Sequence, residues 1–166
     1  MKNSNFTRQK GMTLIELMVS TVILAILVGV AVPSMKSLLD RKNIESVGDF
    51  FVKTIKLART EAIQRSAIVR VKPKNAIGND WSQGWYFEYT NPDGVNEIIR
   101  KFDGLSGNPT FGSDVFNQLT PLIIMPNGQV NTRGTFFLNY PDDCNAGSFS
   151  YQVLLSGALQ KGIVPC

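Results

Sequence analysis

From Met12 to Val32 the side chains are almost all apolar or small, and the only charge before Lys36 is Glu16. At 1.5 Å per residue this run makes about 30 Å of helix, the thickness of a bilayer's hydrocarbon core. Pro33 follows, removing a backbone donor where a helix usually kinks. The helical period then resumes with Ile44, Val47, Phe51, Ile55, Ala58 and Ala62 at three- and four-residue steps. Arg41, Lys42, Glu45, Asp49, Lys53 and Lys56 fall mostly elsewhere around that helix, so one stripe faces a core. The two halves read as a single helix of about 50 residues, far beyond the usual globular length.

After Ser66 the period changes from helical to alternating. Strands are predicted over Ala67–Lys72, Gly84–Tyr89, Glu97–Phe102, Leu119–Met125, Gly134–Leu138, Ser148–Leu155 and Ala158–Val164. Turns such as Asn91-Pro92-Asp93-Gly94 and Pro126-Asn127-Gly128 separate them. The Gly104–Phe116 stretch reads as a loop or a short irregular strand. The fold class is therefore α+β, a long amino-terminal helix packed on an antiparallel β head. Trp85, Phe87 and Tyr89 alternate along one strand and are expected to line its core face.

Glu16 sharpens the reading of the apolar run. An acidic side chain near the centre of a membrane helix costs roughly 2.5–3.5 kcal/mol, and less near an interface. It therefore wants a partner. Cleavage between Gly11 and Met12 would put a new α-amino group one helical turn from Glu16, and in an assembly that amine could serve a neighbouring subunit's Glu16. Two blander readings compete. Gly29-Val30-Ala31 would pass as a small-x-small site of an ordinary secretory signal, and the run could be a plain single-span anchor with a stray carboxylate.

The junction Gly11-Met12-Thr13-Leu14-Ile15-Glu16 resembles the class III leader of type IV pilins and type II secretion pseudopilins. That family most often has Phe where this chain has Met12. The resemblance implies cleavage after Gly11 by a prepilin peptidase, N-methylation of Met12, and a register role for Glu16 between subunits. The expected organisation is a leader over 1–11, a transmembrane and assembly helix over 12–33, an amphipathic helix half over 34–66, and a β-rich periplasmic head over 67–166. Partners implied are other pilins or pseudopilins through the amino-terminal helix, the prepilin peptidase and the inner membrane. The resemblance further suggests that the helix can melt near Gly29 and Pro33 as it packs into a filament.

Three further stretches are similar to the GspH/FimT-type branch of that family. Leu57-Ala58-Arg59-Thr60-Glu61-Ala62-Ile63 matches a helix-ending signature, Trp81-Ser82-Gln83-Gly84-Trp85 a W-x-x-G-W strand opening, and Met125-Pro126-Asn127-Gly128 a hairpin approach. Within the branch a FimT/FimU-type minor pilin of a type IV pilus is the leading reading. A type II secretion pseudopilin of the H kind is the close alternative.

Charge changes the picture chiefly by subtraction. The formal net charge is +4, but Lys2, Arg8 and Lys10 belong to the leader, so seventeen basic side chains become fourteen against thirteen acidic ones. The leader charges orient the segment with its amino end cytoplasmic and the head periplasmic. In that oxidising compartment Cys144 and Cys166 would most simply pair, and the bridge would add about 3 kcal/mol on the chain-entropy model. With no histidine and only two thiols, the usual zinc sites and His-based catalytic constellations cannot be built. Neither enzyme activity nor a cofactor is expected. Asp142 and Asp143 beside Cys144 read as a solvated turn rather than a calcium site.

DNA is the remaining partner to weigh, because some FimT-type proteins bind it through a carboxy-terminal G-R-x-R motif. Here the aligned stretch is Ser156-Gly157-Ala158-Leu159-Gln160-Lys161, with Ala158 and Gln160 at the arginine positions and only Lys161 basic. A second basic patch is Arg65, Arg70, Lys72 and Lys74, the last three on one strand face if alternation holds. It could meet phosphates weakly, or guard a sheet edge. The edge reading is favoured and DNA binding is not.

Overall fold

The computed structural model describes residues 12–75, 78–107, 109–139 and 147–164. One helix, α1, covers Leu14–Arg65. Eight strands follow: β1 Val69–Pro73, β2 Gly84–Thr90, β3 Asn96–Asp103, β4 Thr110–Ser113, β5 Leu122–Ile124, β6 Gly134–Asn139, β7 Ser148–Val153 and β8 Leu159–Val164. They form two four-stranded sheets, in the orders β3-β2-β1-β5 and β4-β6-β7-β8, with every pairing antiparallel. The α+β architecture is as expected from the sequence. The chain divides into two compact units between Lys36 and Ser37.

In the first unit α1 opens on a reciprocal cap. The Thr13 hydroxyl accepts from the Glu16 N–H at 3.3 Å, and the Glu16 carboxylate accepts from the Thr13 N–H at 2.9 Å and from its hydroxyl at 3.0 Å. This is the Thr-x-x-Glu capping box, which satisfies orphan donors of the first turn. Leu14, Ile15, Leu17, Met18, Val22, Ile23 and Leu27 are all more than half exposed. A helix apolar all round has no water-facing side and requires a membrane or other helices around it. Among the described residues no helix is long and apolar enough to cross a membrane. The case for a span rests on the full sequence run from Met12 to Val32.

In the second unit the predicted stripe is the buried one: Ile44, Phe51, Ile55, Ala58 and Ala62 are inaccessible or nearly so, with Val47 packed against them. Phe51 is the hub. Its ring lies 5.4 Å from Trp85 of the first sheet, 4.8, 4.6 and 6.3 Å from Phe111, Phe136 and Tyr151 of the second, and 6.3 Å from Trp81. Both sheets thus meet the helix at one aromatic cluster, where offset and edge-on ring pairs add to plain burial. Trp85 and Phe87 point into it as the alternation predicted, and Tyr89 is half-buried. Trp81, in the turn before β2, is fully buried and donates its indole N–H to the Phe116 carbonyl at 3.0 Å.

The helix stops in a Schellman turn. Ser66 takes φ 50°, its N–H donates to Ile63 O, and Ala67 N–H donates to Ala62 O, both at 3.2 Å. That turn delays β1 to Val69. The predicted Leu119–Met125 strand shortens to Leu122–Ile124 because its first residues form a capped turn. The Asn117 side-chain oxygen accepts from the N–H groups of Leu119 and Thr120 at 2.8 and 2.9 Å. Within Gly104–Phe116 the short-strand alternative holds, as β4.

Candidate assembly and binding sites

The predicted functional residues fall into separate places. Met12 and Glu16 stand at the exposed mouth of the apolar helix half, with the Glu16 carboxylate held by Thr13. Sequence reasoning missed this cap, although Thr13-x-x-Glu16 before an apolar run is its signature. Gly11, Cys144 and Cys166 lie outside the described residues, as do Asp142 and Asp143.

The basic strip is assembled by α1, β1 and its neighbours, and most of its charge is already neutralised. Arg70 and Lys72 alternate with the buried Val69 and Val71, so they share the face of the first sheet turned away from the core. Lys72 meets the buried Glu88 at 2.5 Å, an ion pair without hydrogen-bond alignment. Lys74 donates to Asp103 at 2.8 Å and holds that carboxyl below its ordinary range. Arg65 donates to Glu61 at 2.9 Å and stacks 4.8 Å over the Tyr89 ring, and the Glu61 contact raises its pKa. Arg70 donates to the neutral Thr90 hydroxyl at 2.7 Å. An open cavity of about 480 Å³ lies among Arg65, Ile68, Arg70, Tyr89 and Pro92. Of its two guanidiniums, Arg65 is paired with Glu61 while Arg70, held by a neutral hydroxyl, keeps its charge, and one cation is few for a phosphate chain.

Lys161 is not part of that strip. It sits on β8 in the second sheet, opposite the core residue Tyr151, with its ammonium 4.2 Å from the Phe149 ring centroid. It also contributes to depressing the Glu45 pKa, a shift due first to the hydrogen bond from Lys42. The candidate DNA contacts therefore occupy two sheets and opposite faces, and the expectation that the patch guards a sheet edge is corrected, because β1 is paired on both sides, by β2 and β5.

Three of the stretches singled out in sequence do converge. A β-carbon on Gly128 would lie 2.7 Å from Arg59 Nε and 3.1 Å from Ile63 Cδ1, and one on Gly157 would lie 2.3 Å from the Gly128 carbonyl oxygen. Both glycines have positive φ, 76° and 79°, at turns closed by Gly128 N–H to Met125 O and Gly157 N–H to Leu154 O, each 2.8 Å. The Arg59 stem thus packs across two glycine turns and ties the end of α1 to both hairpin tips. This is helix-to-sheet packing. Glu61 turns instead to Arg65, four residues on.

Comparison with known proteins agrees with this geometry. The model described as type II transport protein GspH matches residues 50–158, and that of the prokaryotic N-terminal methylation motif matches residues 6–32, which hold Gly11, Met12 and Glu16. Among solved structures, the type IV minor pilin FimU of Pseudomonas aeruginosa aligns at TM-score 0.58 and 19% identity, covering 75% of this chain and 90% of that one. The minor pseudopilin EpsH from the type 2 secretion system of Vibrio cholerae aligns at TM-score 0.57 and 13% identity, covering 73% and 97%. No curated protein matches in sequence. The chain belongs to the type II transport protein GspH family and is a pilin-like subunit, of the class found as minor pilins and minor pseudopilins.

Proposed function

We propose that the chain is a minor pilin of a type IV pilus, a structural subunit that joins or primes the filament near its tip. Prepilin peptidase cleaves after Gly11 and Met12 is N-methylated. The Met12–Val32 helix holds the subunit in the inner membrane with its head periplasmic, and a Cys144–Cys166 disulfide ties down the carboxy terminus. The observation that carries this reading is an all-round apolar helix half, exposed along Met12–Val28 and opened by Glu16, on a chain whose head has a closed core of its own. Glu16 is held by Thr13 in the lone subunit. In the filament a neighbouring α-amino group replaces or joins Thr13 as its partner, and this sets axial register.

Intact-mass and amino-terminal analysis should find methylated Met12, and an amino terminus at Val32 would sink the proposal. Glu16→Ala should insert normally yet fail to enter filaments; wild-type incorporation would remove the register role. A minor pseudopilin of a type II secretion system is the second reading, favoured by the family description and by a TM-score to EpsH nearly equal to that for FimU. Deleting the gene separates the two, since loss of surface pili with intact secretion fits the first and the reverse fits the second.

A further inference from the structure

Each sheet has two edges, and three of the four are guarded. β3 carries Glu97, Arg100, Lys101 and Asp103 and is irregular against β2 between Phe87 and Glu88. β5 has only three residues and is bridged by Val130 at Ile124. β4 has four residues and is covered by the Asp80–Gly112 bridge and by the Trp81 N–H, which donates to Phe111 O at 2.7 Å. Charge, shortness and cover are the devices that stop an edge from templating another strand. β8 is the least guarded: it has six residues, its one charge is Lys161, Ile163 is 81% exposed, and among the described residues nothing pairs with its outer side.

The hairpin fixes which of its backbone groups are free. Leu154 N–H donates to Ala158 O at 2.9 Å, so 154 and 158 form a hydrogen-bonded pair. Antiparallel ladders alternate bonded and non-bonded pairs. With the observed register, Gln152–Gln160, Ser150–Gly162 and Ser148–Val164 are then bonded, and the N–H and C=O groups of Leu159, Lys161 and Ile163 point away from β7. The same three residues carry their side chains on the core side of the sheet, opposite Val153, Tyr151 and Phe149, in the order apolar, basic, apolar.

We propose that β8 is a docking edge that accepts an extended strand from another subunit, one with an acidic residue flanked by apolar residues at alternate positions. Backbone pairing supplies affinity, and the acid opposite Lys161 supplies register. A second copy of this chain is a poor occupant, because in the register of fullest overlap it would set Lys161 against Lys161. That the strand comes from a filament neighbour rests on the assembly reading above; the open edge does not.

The test is amide hydrogen exchange on the full chain in detergent micelles, with the peptides Ac-Thr-Val-Thr-Glu-Thr-Ile-Thr-NH2 and the same sequence with Lys for Glu. In the free protein the amides of Leu159, Lys161 and Ile163 should exchange fast while those of Gln160 and Gly162 are protected. The Glu peptide should slow the first three by about tenfold or more, with the Lys peptide clearly weaker. Lys161→Glu should reverse the preference, and Ile163→Pro, which deletes one outward donor and no bond to β7, should abolish binding. Protection of all five amides before peptide is added, equal binding of both peptides, or no binding would overturn the proposal. So would a chain that sediments as a dimer and becomes monomeric on Ile163→Pro. Peptide binding with no entry into filaments would leave the edge standing and count against the assembly reading alone.

Discussion

The phenol of Tyr151 fills the space that a β-carbon on Gly48 would need: one built there would lie 1.7 Å from the hydroxyl oxygen and 2.6 Å from Cζ. Gly48 sits on the buried face of α1, where an alanine would otherwise favour the helix by about 1 kcal/mol. Overpacking a core costs about 1–3 kcal/mol, and a contact this short lies toward the upper end. Gly48→Ala should therefore destabilise the head by about 1–2 kcal/mol net, read as a lower denaturant midpoint at unchanged slope. Tyr151→Phe in the same background should recover part of that loss. An alanine variant as stable as the parent would refute the packing argument.

The same Tyr151 hydroxyl is buried without a hydrogen-bond partner. Burial first, then the Asp49 and Glu45 carboxylates, push its pKa up from 10 to about 12. A raised folded-state value means the unfolded chain releases this proton first. The stabilisation is thus fully present below pH 10 and is lost as pH climbs toward 12, by roughly 2–3 kcal/mol. Tyr151→Phe should flatten that alkaline limb and cost little at pH 7, because an unpaired buried hydroxyl is removed with its ring kept. Stability titrations of both proteins between pH 8 and 12 check this, and parallel curves would refute it.

Ser66 closes α1 in the left-handed region at φ 50°, where a side chain is strained and glycine is not. The turn bonds to Ile63 and Ala62 are backbone bonds and would survive substitution. Ser66→Gly should raise stability by about 0.5–1 kcal/mol in thermal or urea unfolding, the relief of strain outweighing the greater freedom of glycine in the unfolded chain. Ser66→Val, branched at Cβ, should lower it.

The helix stripe and the strand alternation were legible because each repeats: Ile44 to Ala62 and Trp85 to Tyr89 follow the periods that burial imposes. Trp81 was not, since a residue in a turn has no period and its burial depends on Phe116, far along the chain. The Leu119–Met125 prediction failed at its start because Asn117 offers its side chain to the backbone and competes with strand pairing. Charge was the least legible. Arg65, Arg70, Lys72 and Lys74 looked like one patch by spacing, but Glu61, Glu88 and Asp103 reach them from the same helix, β2 and β3. Conversely, the contact of Arg59 with Gly128 and Gly157 was present in the sequence only as three separate signatures.

That neutralisation yields a direct test of the DNA question. Affinity for duplex DNA falls with salt at a slope of about 0.9 per phosphate neutralised. The parent chain, with Arg65, Lys72 and Lys74 already paired, should bind weakly with a shallow slope. Glu61→Gln with Asp103→Asn would unmask Arg65 and Lys74 at a largely covered and a fully exposed partner, leaving the buried Lys72–Glu88 pair intact. If the β1 face can meet phosphates at all, this double variant should bind DNA more tightly at low salt, and its salt slope should steepen by up to about 2. Gel-shift titrations across salt measure both quantities. Tight, steeply salt-dependent binding by the parent would mean that DNA displaces these carboxylates, and would restore nucleic acid as a partner of the head. An unchanged slope in the double variant would assign the strip to sheet stability through its internal ion pairs, since β1 lies inside its sheet between β2 and β5 and has no edge to protect.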